Sequence, residues 1–100
     1  MLIEITKAQL LSYRLGRLMD DGKANYTHIS MAKKNNVSIA RMCARLARET
    51  LGANGISLDY SPIRHMANVE SVYTYEGTDD MHTLILGQDI TGIPAFRRQL

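Results

Sequence analysis

The longest continuous helical signal in the chain runs from Tyr26 to Leu51, and the rest must be arranged around it. One face of this run reads Ile29, Ala32, Asn36, Ala40, Cys43, Ala47 and Leu51. Recurrence at three and four residues marks one side of an α-helix. Small residues dominate that side, so neighbouring helices can pack close to it. Asn36 is the polar intruder, suited to a hydrogen bond onto another helix. An all-α fold is expected, with this helix at the centre of an up-and-down helical bundle.

Shorter helices flank it. Thr6 to Gln9 fits a capping box, with Thr6 as N-cap and Ile5 and Leu10 as the hydrophobic staple. Ile5, Ala8, Leu11, Leu15 and Leu18 then recur at helical spacing, and Gly22 supplies a left-handed stop. After the long helix, Gly52-Ala53-Asn54-Gly55 ends it and lets the backbone lie close to a neighbour. No Gly-Lys-Ser/Thr follows, so this is not a phosphate loop of the Walker type. Ser61 is placed as a cap, with Pro62 at the first helical position. Ile63, Met66, Ala67, Val69 and Val72 form the buried side of that helix. A last helix is expected from Asp79 to Thr91, with Met81, Leu84, Ile85 and Gln88 on one side, closed by Gly92 and Pro94. Short connections imply mostly antiparallel neighbours.

Composition narrows the function classes. A chain of 100 residues is one domain, and a net charge of +2 does not by itself argue for nucleic acid. No apolar run approaches the ~20 residues needed to cross a bilayer. Cys43 is the only cysteine, which excludes an intrachain disulfide and is expected to be a buried free thiol. His28, His65 and His82 are too far apart in sequence for a helical metal pair. Lys34, Arg41, Arg45 and Arg48 form a basic stripe. It reads either as a site for phosphate or an acidic surface, or as a solvated face with ion pairs such as Arg45–Glu49.

The stretch richest in chemistry is Tyr75-Glu76-Gly77-Thr78, at the break between two helices. Gly77 permits close approach, and Thr78 is a good N-cap followed by Asp79 and Asp80 at the positive end of a helix. Glu76 on such a corner reads either as a solvated turn residue or as a general base held by rigid elements.

The chain resembles the C-terminal helical domain of the acyl-CoA dehydrogenases, and within them the glutaryl-CoA dehydrogenase branch. The strings that carry this are LGANGIS at Leu51–Ser57, IRH at Ile63–His65, TYEGTDDMH at Thr74–His82, LILG at Leu84–Gly87, and ITGI with AF at Ile90–Phe96. The resemblance implies an FAD-dependent enzyme that removes two hydrogens across the α and β carbons of an acyl-CoA thioester. It makes Glu76 the base for the α-proton. It sets Gly77 and Tyr75 beside the substrate, and Thr78 and Phe96 against the cofactor. The turn formed by Glu49, Thr50, Leu51, Gly52 and Ala53 would reach the FAD of a neighbouring subunit. Ala53 stands where the family commonly has a second glycine, which weakens that part of the match.

Such enzymes also have an N-terminal helical domain and a middle β domain, so residues 1–100 are expected to be the C-terminal domain of a longer enzyme, one helix short. The resemblance further implies glutaryl-CoA as substrate, with the group that recognises its distal carboxylate lying outside this stretch. It implies an electron-transfer flavoprotein as electron acceptor, a homo-oligomer (dimer or tetramer), no membrane span, no nucleic acid, and a cytoplasmic or mitochondrial-matrix location. The competing reading is a stand-alone helical interaction module without activity.

Overall fold

The computed structural model describes residues 1–95, so the expectation for Phe96 lies outside the described residues. Four α-helices are present: α1 (Leu2–Asp20), α2 (Tyr26–Thr50), α3 (Ser61–Thr74) and α4 (Asp79–Thr91), with a 3₁₀ turn at Gly52–Ile56. No strand occurs among the described residues.

α2 is the spine against which all the other elements pack. α1 lies antiparallel to it: Ile5 and Cys43 line one groove, and Leu18 and His28 line another. Asn36 ties the two together as expected, its Nδ2 donating to Ala8 O at 3.2 Å and Ser12 Oγ at 2.7 Å. α3 and α4 both run back along α2. Arg41 pairs with Glu70, Lys34 with Asp79, and Thr27 donates to Asp89, so positions on α2 fall as positions on the partner rise. The course is therefore up, down and up again, with the third rod broken between α3 and α4. The break is the Tyr75–Thr78 corner, and it sits over the N-terminal third of α2, against Lys33 and Lys34.

Two expected helix starts move. α1 begins at Leu2, so Thr6 is inside the helix and its hydroxyl donates back to Leu2 O at 2.8 Å. A threonine hydroxyl can serve either purpose, and nothing in Leu2–Ile5 resists helix. Ile5 and Leu10 consequently stay exposed and form no staple. α3 begins one residue early, with Tyr60 as N-cap and Ser61 making no cap hydrogen bond. At α2 a capping box appears that the sequence reading lacked. Asn25 Oδ1 accepts from the amides of Thr27 and His28, and His28 Nδ1 accepts from the Asn25 amide.

The buried side of α2 also differs from the expected stripe. Ala32 is buried, but Ile29 is 46% exposed and Ala40 is exposed, while Thr27, Ser30 and Ile39 are buried. The reason is that α2 is gripped from two directions, so no single stripe carries its contacts. Cys43 is half-buried at the edge of the groove facing α1. On α3 the expected buried side is half-buried except for Ala67, which is exposed. On α4 Met81 and Leu84 are exposed, and the buried residue is His82.

Ala32 and Ile39 are the only buried hydrophobic residues described. The extents are 54 × 35 × 19 Å and the radius of gyration is 16.6 Å. A closed globule of this length would have a radius near ~13 Å. The helices thus form an open slab whose apolar faces are left uncovered by the described residues.

Candidate functional site

The corner is built from two consecutive left-handed residues. Glu76 has φ +52 and Gly77 has φ +96. Tyr75 before them and Thr78 after them are extended, with ψ of 163 and 162. A left-handed backbone is easy for glycine but unfavourable for glutamate, and such residues collect at functional sites. Thr78 caps α4 as expected, its Oγ1 accepting from the Met81 amide at 3.2 Å. Glu76 is exposed, and Tyr75 is 54% exposed.

Three side chains from outside the motif hold the corner. Lys33 on α2 donates from Nζ to the carbonyl oxygens of both Tyr75 and Gly77, the second at 2.5 Å. Its Nζ lies 5.5 Å from the centre of the Tyr75 ring, within cation–π range. The next residue, Lys34, pairs with Asp79 in the first turn of α4 at 3.0 Å. The hydrogen bond and charge of Lys34, helped by the Tyr73 hydroxyl and Arg41 nearby, hold the Asp79 carboxyl below the usual aspartate range against the opposing effect of burial. Behind Gly77 lies His82, only 6% exposed, and neither ring nitrogen has a hydrogen-bond partner among the described residues.

The basic stripe resolves in the same region. Arg41 pairs with Glu70 at 3.0 Å and lies 3.9 Å from the Tyr73 ring centre. Arg45 pairs with Glu49 at 3.3 Å, as the ion-pair reading anticipated. Of the stripe, Arg41 fastens α3 and Lys34 fastens α4 to the spine.

The 3₁₀ turn closes the other end. A Cβ on Gly55 would lie 2.0 Å from Arg48 O, so the backbone does approach as closely as the glycines suggested. Glu49, Thr50, Gly52 and Ala53 are exposed there, and Leu51 is half-buried. From Lys33, under the corner, to Glu49 is sixteen helical residues, or about 24 Å. The sequence-derived residues therefore fall into two places: Tyr75, Glu76, Gly77 and Thr78 come together, and Glu49–Ala53 stand apart. Lys33 and His82 were not singled out for the site. Lys33 precedes the stripe by one residue, and no spacing rule links it to a corner forty-two residues later. The sequence offers His82 only as a possible metal ligand. Among the described residues no three His, Cys, Asp or Glu side chains cluster as a metal site.

Comparison with known proteins gives these residues a context. The profile of the acyl-CoA dehydrogenase C-terminal domain matches residues 1–91. The chain belongs to the acyl-CoA dehydrogenase family. The glutaryl-CoA dehydrogenase of Desulfococcus multivorans is 30% identical over 99 residues, covering 98% of this chain and 25% of that protein. The crystal structure of glutaryl-CoA dehydrogenase from Mycobacterium smegmatis superposes with a TM-score of 0.91 at 50% identity, over 95% of this chain and 24% of that one. A glutaryl-CoA dehydrogenase from the same organism in complex with FADH2 gives 0.91 at 48% identity, covering 95% of this chain and 25% of that one. A chain in the structure of the electron transferring flavoprotein of Acidaminococcus fermentans gives 0.85 at 26% identity, over 90% of this chain and 24% of that one. The chain thus spans about a quarter of the length of the relatives it matches. No described helix is long and apolar enough to cross a membrane.

Proposed function

We propose that this chain is the C-terminal part of an FAD-dependent acyl-CoA dehydrogenase of the glutaryl-CoA type, with Glu76 as catalytic base. The observation that carries the reading is the left-handed corner itself. An exposed carboxylate is held between two pinned carbonyls, in a chain half identical to a glutaryl-CoA dehydrogenase.

In this reading Glu76 takes the α-proton of the thioester. That proton is weakly acidic, so the base must stand within hydrogen-bond reach of it. Gly77 and Tyr75 border the acyl chain. FAD, when bound, supplies the hydride acceptor for the β carbon. The residues present fit such a group. Thr78 Oγ1 uses an acceptor site in capping α4, which leaves its hydroxyl proton free to donate to a flavin. Glu49–Ala53 would serve the FAD of a second subunit, which agrees with their exposure and their distance from Glu76. Phe96 would complete the cofactor contact. An electron-transfer flavoprotein would take the electrons onward, and the assembled enzyme would be a dimer or tetramer.

The test is Glu76→Gln in the full-length enzyme carrying this chain. It keeps the shape and removes the basicity. Flavin reduction by acyl-CoA should fall at least about 10²–10⁴-fold, with FAD content unchanged. Reduction within a few-fold of wild type would move the base to another helix. The 100-residue chain alone should show no turnover.

The open slab favours a second reading, an interaction module that pairs through its uncovered apolar faces. Flavin absorbance that purifies with the chain in its native assembly distinguishes the enzyme from the module.

A further inference from the structure

We propose that Lys33 is the positioning residue of the proposed base: it clamps the carbonyls of the residues on either side of Glu76 and so restrains where the carboxylate starts from. The proposal rests on the reading of Glu76 as base.

The geometry is specific. Lys33 Nζ donates to Tyr75 O and to Gly77 O, the carbonyls of the residues before and after Glu76. Among the described residues no carboxylate lies within ion-pair distance of Lys33. Its charge is met by those two carbonyls and by the face of the Tyr75 ring. Hydrogen bonds from an ionised donor are the strong kind, and this donor is half-buried on the third turn of the spine helix. The clamp therefore ties the corner to the helix against which every other element packs.

The corner needs such a tie. Glutamate at φ +52 is unfavourable, and in a free chain the backbone would leave that region. Thr78 and Asp79 anchor the start of α4, but neither reaches the peptide groups around Glu76. Lys33 does, from the other side of the break. With these two carbonyls held, the peptide plane entering Glu76 is fixed and the chain leaving it is tied one residue on, which restrains the backbone that carries the carboxylate. A base displaced by about 1 Å loses on the order of 10² in rate. Lysine suits the task because its ammonium is a compact charge with three donors, able to turn toward two carbonyls at once, whereas the planar arginine fork matches a carboxylate.

Two readouts test this. The first needs no turnover. In the 100-residue chain, Lys33→Met keeps the stem and removes the donor, and the amide coupling and Cα shift of Glu76 should move away from left-handed values. Lys33→Arg, which keeps the charge, should restore them in part. The second uses the flavin-loaded full-length enzyme. Lys33→Met should slow flavin reduction at saturating acyl-CoA about 10- to 100-fold, with half-saturation changed little. In a Glu76→Gln background it should add nothing. Lys33→Gln, neutral and shorter, gives the same readouts should Lys33→Met fold poorly. Unmoved Glu76 signals in these variants would overturn the proposal. So would a reduction rate within a few-fold of wild type when Glu76→Gln abolishes it, because Lys33 would then be only structural. If Glu76→Gln itself leaves reduction intact, the base assignment falls, and the Glu76 signals alone decide whether Lys33 holds the corner.

Discussion

The imidazole of His82 backs Gly77 so closely that a Cβ added to Gly77 would lie 2.8 Å from Nε2. The ring is buried, and Gly77 is at φ +96, so an added methyl group meets both a steric and a conformational obstacle. The corner over α2 thus has lysine on one side and histidine on the other, with the proposed base between them.

The first prediction follows from that packing. Gly77→Ala should destabilise the chain by at least the left-handed cost of about 1–2 kcal/mol. For a domain of this size each kcal/mol lowers Tm by roughly 4–8 °C. The control is Gly87→Ala within α4, where an added Cβ meets nothing within 4 Å. That change should be neutral or stabilising by about 0.5–1 kcal/mol. Thermal unfolding followed by circular dichroism, at one protein concentration, checks both. Equal effects from the two substitutions would refute the packing argument.

The second concerns the far end of α2. Gly55→Ala would set a Cβ 2.0 Å from the Arg48 carbonyl oxygen and 2.9 Å from its carbon, both backbone atoms that cannot rotate aside. The 3₁₀ turn must then lift off the helix. Gly52→Ala has φ +60 but open space, so it incurs only the conformational cost. Gly55→Ala should therefore lower Tm clearly more than Gly52→Ala. The reverse order would mean that the turn does not rest on α2 as described.

What the sequence disclosed depended on how local each signal was. α4 was read at its true bounds because Thr78 caps it and Gly92, at φ +74, stops it, and both act within one turn. The Glu76–Gly77 corner was legible for the same reason. The true start of α1 is not legible in the sequence, because one threonine hydroxyl can cap a helix or bond back into it. The basic stripe was visible as a pattern, but its partners Glu70 and Asp79 lie on other helices, and no spacing rule connects them. Lys33 was invisible for that reason. Its role depends on the register between α2 and a corner later in the chain, which only packing determines.

The third prediction is a pH dependence. The Asp79 carboxyl is held below its ordinary range mainly by Lys34, so the folded chain binds that proton less readily than the unfolded chain does. The resulting stability is fully present above the ordinary aspartate value and is lost as pH falls through the lower folded value. Asp79→Asn should lower Tm near neutral pH. It should also flatten the loss of Tm between about pH 5 and pH 3 relative to wild type. Lys34→Met should do the same, since it removes the principal cause. Parallel acid profiles for wild type and Asp79→Asn would show that the pair contributes nothing to acid sensitivity.

The last prediction concerns the uncovered faces. On α1, Ala8, Leu11, Leu15 and Leu18 are half-buried and turn toward α2, while Leu2, Ile3, Leu10 and Tyr13 are 78%, 73%, 64% and 69% exposed. At 100° per residue, those four fall within an arc of about 100° on the opposite side of the helix. α1 therefore has two apolar faces, and α2 covers only one. Exposed apolar side chains gathered on one face in this way mark an association surface. With so little buried hydrophobic surface of its own, the chain should associate as a dimer or tetramer at micromolar concentration. Replacing Ile3 and Leu10 with charged residues removes the outer face without touching the groove with α2. Sedimentation of that double variant should show a smaller species than wild type while helix content is retained. A wild-type monomer, or a double variant that stays associated, would mean that this face is not the one that brings chains together.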